Sequence, residues 1–214
     1  MIFSVDAILF DIDGTLVDST PVVERTWRTW SARHGYDADE ILRVCHGRRT
    51  RDTVALFLPP GERAAAVAEL EELERHDFDG VVPLPAADSL LRALPPERWA
   101  AVTSGTHTLM RARLAAAALP VPKVLIAAED VAAGKPDPQG YRMAAAALGF
   151  DVRRCLVVED APAGLAAGRA APASTLAVGT SHDLAALTEA DAAVPDLRSL
   201  TMEVTPEGLV LTVG

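Results

Sequence analysis

The chain has 214 residues, of which 20 are basic and 30 are acidic, giving a formal net charge of −10. This length allows one large domain, or one domain with a smaller insertion, to bury a core without disulfides or structural metals. The charge disfavours nucleic acids and anionic membranes as partners, and the 50% hydrophobic content excludes a disordered chain.

The sequence also predicts the compartment. No apolar run reaches the ~18 uncharged residues of a membrane span, and no basic region precedes an apolar stretch at the N-terminus, so we expect no secretory signal. Cys45 and Cys155 lie far apart, which is typical of a reducing compartment. We therefore expect a cytoplasmic protein. Among its 20 basic residues only Lys123 and Lys135 are lysines. Codon bias and chance would explain this, or one of the two positions requires a compact ammonium group.

The first predicted element is a buried strand over residues 5–10, which leads directly into the turn Asp11-Ile12-Asp13-Gly14-Thr15. Residues 21–76 show helical patterns, notably at 22–34 and 63–76, and no convincing strand. After residue 82 the predicted elements alternate: a helix ending near 94, strand 99–102, helix 108–118, strand 123–127, helix 138–148, strand 155–158, a helix ending at 169, strand 174–178 and a hairpin at 202–213.

This alternation predicts the fold class, a doubly wound α/β domain with a parallel sheet. The all-helical block interrupts the alternation directly after the first strand. We therefore expect a core domain of residues 1–17 and 83–214, and an inserted all-helical subdomain of residues 18–82.

Polar residues follow four of the predicted strands: Asp11 and Asp13, then Thr103, Ser104 and Gly105, then Glu129, Asp130 and Lys135, and finally Glu159 and Asp160. Each residue alone is typical of a helix cap or a turn. A parallel sheet, however, brings all of them to the edge where ligands bind. Two carboxylates about 4 Å apart repel by roughly 4 kcal/mol at an effective dielectric near 20, so such a cluster needs a cation. Oxygen ligands without clustered His or Cys favour Mg²⁺ over zinc.

An acid cluster with a lysine and hydroxyls suits phosphoryl transfer. Magnesium and the ammonium offset phosphate charge, one carboxylate can form an aspartyl-phosphate, and a second can move protons. Neither a Walker A sequence nor a Gly-x-Gly-x-x-Gly turn after a strand is present, so nothing supports a nucleotide site.

Four motifs in this order resemble the haloacid dehalogenase superfamily: Asp-x-Asp-Gly-Thr-Leu-x-Asp-Ser from Asp11, the hydroxyl residues Thr103-Ser104, Gly-Lys-Pro-x-Pro from Gly134, and Glu-Asp-x-x-x-Gly from Glu159. The resemblance covers nearly the whole chain, and the helical insertion is similar to the C1-type cap of that family.

The resemblance implies specific roles. Asp11 would be the phosphorylated nucleophile and Asp13 the general acid/base, while Thr103, or Ser104 in the competing alignment, would hold the phosphate. Lys135 would contact both nucleophile and phosphate. The implied metal residues are Asp11, Asp13 through its main-chain carbonyl, Asp160, and Glu159 either as a ligand or behind the ligands.

Differences between this sequence and particular members of the superfamily limit the activities that it can have. The second acid, Asp13, favours phosphoryl chemistry over dehalogenation, and the lack of any lysine in residues 18–82 disfavours phosphonate hydrolysis and weakens a phosphomutase interpretation. The segment His46-Gly47-Arg48-Arg49-Thr50 and residues 102–106 are similar to sugar and polyol phosphatases; the alternative for the first segment, which we weigh less, is a solvated basic turn. The implied substrate-binding residues are His46, Gly47, Arg49, Ser104 and Gly105.

We therefore predict a Mg²⁺-dependent phosphatase whose partner is a small phosphorylated metabolite, a sugar or polyol phosphate. Two alternatives stay open: a phosphomutase that retains the phosphoryl group, and a catalytically silent relative that only binds ligands. The intact Asp11 and Asp13 argue against the silent relative. We expect a monomer, although nothing in the sequence fixes the oligomeric state.

Overall fold

The structure is a computed structural model that describes all residues from 1 to 214. Its strands, in chain order, are β1 (Ile2–Val5), β2 (Ala7–Phe10), β3 (Val17–Asp18), β4 (Val82–Pro83), β5 (Trp99–Val102), β6 (Leu125–Ile126), β7 (Cys155–Glu159), β8 (Ser174–Val178), β9 (Ala192–Val194), β10 (Leu200–Thr205) and β11 (Gly208–Val213). Its α-helices are α1 (Thr20–His34), α2 (Ala38–Cys45), α3 (Thr50–Phe57), α4 (Pro60–Arg75), α5 (Ala87–Ala93), α6 (His107–Ala116), α7 (Gln139–Leu148) and α8 (Pro162–Ala170). Single turns of 3-10 helix cover Val152–Arg154, Leu184–Ala186 and Leu197–Ser199. None of the α-helices combines the length and apolar character needed to cross a membrane.

The central sheet has six parallel strands in the order β6-β5-β2-β7-β8-β9. The chain runs outward from β2 through β5 to β6, and then crosses back to place β7 on the other side of β2. Such a reversal opens a crevice at the carboxyl ends of the two strands beside it. The prediction of a doubly wound α/β fold is confirmed, and the reversal places the crevice where β2 and β7 end.

Two hydrophobic clusters, one on each face, hold the sheet between its helices. Successive strand residues point to opposite faces, so Ile8 and Phe10 belong to a cluster of 27 buried residues, and Ala7 and Leu9 to one of 13. Helices α5 and α6 contribute to the first cluster, and α7 and α8 to the second. The whole of β2 is fully buried, which gives the residue after it a rigid base.

Helices α1 to α4 have a separate hydrophobic cluster of 8 buried residues. At its centre Trp30 stacks against His34 and Tyr36, with ring centroids 4.6 and 5.3 Å apart. Helix α1 has a proline in its first turn and ends before Gly35, whose φ of +74° favours glycine. The helices predicted at 22–34 and 63–76 correspond to α1 and α4. The short antiparallel pair β3–β4 connects this helical segment to the sheet.

The structure corrects two predictions about strands. The run predicted as one strand over residues 5–10 is divided at Asp6, whose carboxylate pairs with Arg154 at 2.5 Å and whose amide donates to the Arg154 carbonyl. Strand β1 therefore leaves the parallel sheet and pairs antiparallel with β11. The predicted C-terminal hairpin is confirmed as β10–β11, which forms a three-stranded sheet with β1. Strand β6 covers only Leu125–Ile126 of the predicted 123–127.

Candidate active site

Asp11 and Lys135 meet at the carboxyl end of β2. The Lys135 ammonium lies 2.5 Å from Asp11 Oδ1 and 2.6 Å from Glu159 Oε1, and it donates to the Val102 carbonyl at 3.0 Å. An ammonium group has three donors and no acceptor, so one buried lysine connects the ends of β2, β7 and β5. Lys123, by contrast, is exposed. Of the two lysines, Lys135 is therefore the one whose contacts require an ammonium group.

Glu159, at the end of β7, is fully buried and surrounded by donors. Its Oε1 also accepts from the Tyr141 hydroxyl at 2.6 Å, and its Oε2 accepts from the backbone amides of Asp160 and Ala161 at 3.2 and 3.4 Å. A carboxylate offers about four lone-pair sites, and these contacts use all of them. Glu159 therefore holds Lys135 in place.

Asp160 is also buried and faces the turn after β2. The Thr15 hydroxyl donates to its Oδ1 at 3.3 Å, and the Ser181 hydroxyl donates to its Oδ2. Gly14 has a φ of +83°, and a Cβ at this position would overlap the Asp160 carboxylate. A glycine is therefore required for the turn to approach this carboxylate so closely.

The buried groups at the carboxyl edge of the sheet carry more negative than positive charge. Carboxylate oxygens of Asp11, Glu159 and Asp160 lie within 4.8 Å of one another, with one buried ammonium among them. Burial, reinforced by Glu159, raises the pKa of Asp160 to about 7. Burial likewise raises the pKa of Asp11 well above its usual range despite the nearby Lys135. Burial opposes the charged form of Lys135, but Asp11 and Glu159 outweigh it and raise its pKa. An all-oxygen donor set with excess negative charge could hold a metal ion.

Asp13 lies two residues after Asp11 and contacts a buried arginine on α6. Arg113 Nη1 donates to Asp13 Oδ2 at 2.7 Å, and its Nη2 donates to Glu74 Oε1 on α4 at 2.9 Å. Burial raises the pKa of Glu74 even though Arg113 opposes the shift. The other oxygen of Asp13, Oδ1, is buried and accepts no hydrogen bond.

A cavity of about 80 Å³ lies between the sheet edge and the helical segment. Most of the predicted site residues line it, namely Asp11, Asp13, His46, Gly47, Thr103, Ser104, Gly105 and Asp160. Lys135 and Glu159 do not line the cavity; Lys135 lies behind Asp11 and contacts it, and Glu159 contacts Lys135. Burial and the adjacent His182 lower the pKa of His46. The structure thus brings residues from both segments of the chain to one cavity.

The two hydroxyls after β5 differ in their hydrogen bonds. Thr103 Oγ1 accepts from the Gly105 amide at 3.1 Å and keeps its own proton for donation. Ser104 Oγ donates its proton to the Gly47 carbonyl at 2.8 Å. Thr103 therefore has the free donor, and Ser104 connects the sheet edge to the loop after α2.

Arg49 makes contacts other than those expected of a substrate-binding residue. Its guanidinium pairs with Asp52 at 2.6 and 3.0 Å and donates to the carbonyls of Val131 and Ala132 at 3.4 and 3.5 Å. It thus bridges the start of α3 to the loop before Lys135, while the neighbouring Arg48 lines the cavity. A substrate contact by Arg49 stays a prediction.

The acids predicted after the third strand lie outside the acidic cluster. Glu129 accepts from the His107 amide at 3.1 Å, and Asp130 pairs with the His107 ring at 2.7 Å. Both therefore serve the first turn of α6, where carboxylates are stabilised by the helix dipole.

Sequence reasoning missed Arg113, Tyr141 and Ser181. Ser181 follows β8, so the rule applied to the other strand ends would have found it. Arg113 occupies an apolar-face position of α6, three residues after Met110, and a charged residue at such a position is a detectable signal.

The chain is similar to known proteins over most of its length. Residues 5–172 match the family model described as haloacid dehalogenase-like hydrolase. Over 208 residues the chain is 41% identical to hexitol phosphatase A of Escherichia coli (strain K12), covering 95% of this chain and 96% of the relative. It is 36% identical over 197 residues to glycerol-1-phosphate phosphohydrolase 2 of Saccharomyces cerevisiae, with coverages of 86% and 79%. A hydrolase from Pseudomonas syringae superposes with a TM-score of 0.78 at 25% identity, covering 89% of this chain and 94% of that one. The chain belongs to the haloacid dehalogenase-like hydrolases.

Proposed function

We propose that this protein is a Mg²⁺-dependent phosphatase that hydrolyses a small sugar or polyol phosphate through an aspartyl-phosphate on Asp11. The observation that carries the proposal is the buried Lys135 ammonium between Asp11 and Glu159, directly behind a cavity lined by Asp13 and Thr103. The similarity to a hexitol phosphatase and to a glycerol-1-phosphate phosphohydrolase, over most of each chain, supports the choice of substrate class.

The contacts of Asp11, Thr103 and Lys135 support separate roles. Lys135 fixes Asp11 Oδ1, while Asp11 Oδ2 accepts no hydrogen bond and is the atom we assign to the attack on phosphorus. Thr103 has a hydroxyl proton to donate to a phosphoryl oxygen. Charged and neutral donors aimed at the developing charge stabilise the transition state. The positive charge on Lys135 offsets the negative charge of the phosphoryl group.

Asp13 is the general acid/base of the proposal. In the first half-reaction it gives a proton to the leaving alkoxide as the substrate P–O bond breaks. In the second it takes a proton from the water that attacks the phosphorus of the aspartyl-phosphate, which frees Asp11 and returns Asp13 to its protonated form. Such proton transfer typically contributes about 10²–10⁴-fold to a rate.

We assign the metal site to Asp11, Asp160 and the Asp13 main-chain carbonyl. The raised pKa values of Asp11 and Asp160 and the all-oxygen donor set fit a hard divalent cation such as Mg²⁺. Glu159 belongs to the same cluster, but its lone pairs are already engaged, which supports a place behind the ligands. When bound, the ion would neutralise phosphate charge and polarise the P–O bonds.

We propose that residues 18–82 form a cap over the core of residues 1–17 and 83–214. Three contacts across this division support it: Ser104 to Gly47, Arg49 to Val131, and Arg51 to the Ala128 carbonyl at 3.2 Å. A closed cap would exclude competing acceptors from the aspartyl-phosphate.

A second cavity of about 560 Å³ adjoins the first and supplies space for the leaving group. The two cavities share Thr50, Glu74, Ser104, Gly105 and Leu109. The larger one is lined by polar side chains, including Arg51, Glu71, Arg75, Thr106, Thr108 and Glu129, and by apolar groups that supply most of its exposed surface. The polar ends can hydrogen-bond to substrate hydroxyls, and the apolar surface can pack against the carbon chain of a sugar or polyol. We assign substrate contacts to His46, Gly47, Ser104 and Gly105, which line the smaller cavity, and to Arg49, which lines the larger one.

The two cysteines are free and buried, which supports a reducing compartment, and we propose a cytoplasmic location.

The test is phosphate release with Mg²⁺ from a panel of hexitol, hexose and glycerol phosphates, measured for the wild-type chain and for Asp11→Asn. We expect turnover of at least one alkyl phosphate and its loss in the variant. Isomerised phosphate ester without free phosphate would indicate a phosphomutase, and ligand binding without turnover would indicate a silent relative. Either result overturns the proposal.

A further inference from the structure

Arg113 is the one buried arginine that contacts the proposed acid/base, and neither the family motifs nor the metal site accounts for it. It is 2% exposed on α6, where the rest of the buried face is apolar. Its two terminal nitrogens donate to Asp13 Oδ2 at 2.7 Å and to Glu74 Oε1 at 2.9 Å. Burying a guanidinium is costly unless it is paired. The two carboxylates pair its terminal nitrogens, while its buried Nε has no hydrogen-bond partner.

The ion pair with Arg113 gives the two carboxylate oxygens of Asp13 different hydrogen-bonding environments. A guanidinium only donates hydrogen bonds and cannot be deprotonated in a protein. A proton on Asp13 Oδ2 would therefore face the N–H group of Arg113, and a protonated Asp13 must carry its proton on Oδ1. Oδ1 is the oxygen without a protein partner, on a residue that lines the same cavity as Asp11.

We propose that Arg113 is a positioning residue for proton transfer, which keeps Asp13 Oδ2 engaged and assigns the transferable proton to Oδ1. This inference rests on the acid/base role of Asp13 in the proposed function. In the first half-reaction the Oδ1 proton moves to the leaving oxygen as the bond between phosphorus and that oxygen breaks and Asp11 Oδ2 bonds to phosphorus. In the second, Oδ1 takes a proton from water as the water oxygen bonds to phosphorus and the bond to Asp11 breaks.

Glu74 completes the arrangement from the other side. Its side chain, on α4 of the helical segment, is 12% exposed and holds the second arm of Arg113. The planar fork of arginine can engage two carboxylates in fixed directions, which a lysine cannot reproduce. Because Glu74 and Asp13 come from different segments of the chain, the orientation of Arg113 depends on the contact between those segments.

The experiment compares two substrates that differ in their need for an acid. Glycerol 1-phosphate releases an alkoxide that must be protonated, whereas p-nitrophenyl phosphate releases a phenolate that leaves without a proton. The parameter kcat/KM reports on steps up to the first irreversible one, so it isolates cleavage of the substrate bond. It is measured with Mg²⁺ for wild type, Asp13→Asn, Arg113→Met and Arg113→Lys.

We expect Arg113→Met to lower kcat/KM for glycerol 1-phosphate by at least about 30-fold, and for p-nitrophenyl phosphate by no more than about threefold. Arg113→Lys restores charge but not the fork, and we expect it to recover little of the loss. The matched control is Arg25→Met, which removes an arginine paired with Asp77 at 2.8 Å on the helical segment and leaves both values unchanged.

The outcomes separate this inference from the proposed function. If Arg113→Met lowers both values by the same factor, its role is structural and the inference is wrong. If Asp13→Asn shows no selective loss with glycerol 1-phosphate, the acid/base assignment fails, and the inference with it. Should Arg113→Met fail to fold, Glu74→Gln keeps the pair with Asp13 but loosens its anchor, and we expect a smaller loss confined to glycerol 1-phosphate. An equal loss with both substrates in that variant would also overturn the inference.

Discussion

Replacing Lys135 by methionine removes the only ammonium among the buried carboxylates at the edge of the sheet. The ammonium lies 2.5 Å from Asp11 Oδ1 and 2.6 Å from Glu159 Oε1. At an effective dielectric of about 20 each contact corresponds to roughly 6 kcal/mol of Coulomb attraction, most of which offsets the desolvation of the charges. Removing one partner of a buried ion pair costs about 3–5 kcal/mol, and we expect the free energy of unfolding to fall by that amount.

The assay is urea unfolding at pH 7 with a chelator present, together with phosphate release in Mg²⁺. We expect activity to fall at least about 10²-fold, since the nucleophile loses its fixed orientation and the phosphate loses a positive charge. Lys123→Met is the matched control, because it removes the other lysine from an exposed position and should change stability by less than about 0.5 kcal/mol. If Lys135→Met unfolds within about 1 kcal/mol of wild type and keeps its activity, the account of the buried cluster is wrong.

Three further predictions follow from other contacts. Thr103→Val should lower kcat/KM about 10²-fold because it removes the free hydroxyl donor. Ser104→Ala removes one hydrogen bond to a backbone carbonyl and should lower kcat/KM about tenfold or less. Equal losses in the two variants would contradict the assignment of the free donor to Thr103. Mg²⁺ at about 100 times its Kd should raise the free energy of unfolding of the wild type by about 2.7 kcal/mol. Asp160→Asn should abolish the accompanying rise in Tm, whereas Glu203→Gln, at an exposed position of β10, should keep it. The hydrogen bond from Arg154 lowers the pKa of Asp6, so the ion pair stabilises the fold above the ordinary pKa of 3.8 and this stabilisation is lost as the pH falls. Asp6→Asn should therefore lower the free energy of unfolding by about 1 kcal/mol at pH 7. A loss that does not shrink by pH 3 would refute the pairing.

Much of the fold could be predicted because its signals are local. The strand Trp99–Val102 and the strand Ser174–Val178 coincide with apolar runs between turn residues. The division of residues 5–10 at Asp6 could not be predicted, because it depends on Arg154, 148 positions away. For the same reason the pairing of β1 with β11 has no signature in either segment alone.

The residues of the candidate site also divide into those with a local signal in the sequence and those whose contacts depend on packing. Asp11, Lys135, Glu159 and Asp160 could be grouped because parallel strands end at one edge. The three acids lie at strand ends, and Lys135 follows β6 after a loop. Arg113 and Arg49 could not be placed in this way. Both contact partners in other segments, and a guanidinium on a flexible three-carbon stem can reach several carboxylates or carbonyls. Only the packed structure decides which ones it contacts.

The central claim is that phosphate passes through Asp11, and rapid acid quench tests it most directly. The wild-type chain is mixed with Mg²⁺ and a ³²P-labelled ester that it hydrolyses, quenched within milliseconds, digested, and mapped by mass spectrometry. We predict an acid-stable, hydroxylamine-sensitive phosphoryl group on the peptide containing Asp11, formed and consumed no more slowly than kcat and absent from Asp11→Asn. Turnover without any phosphoryl group on Asp11, or with full activity in Asp11→Asn, would contradict the account.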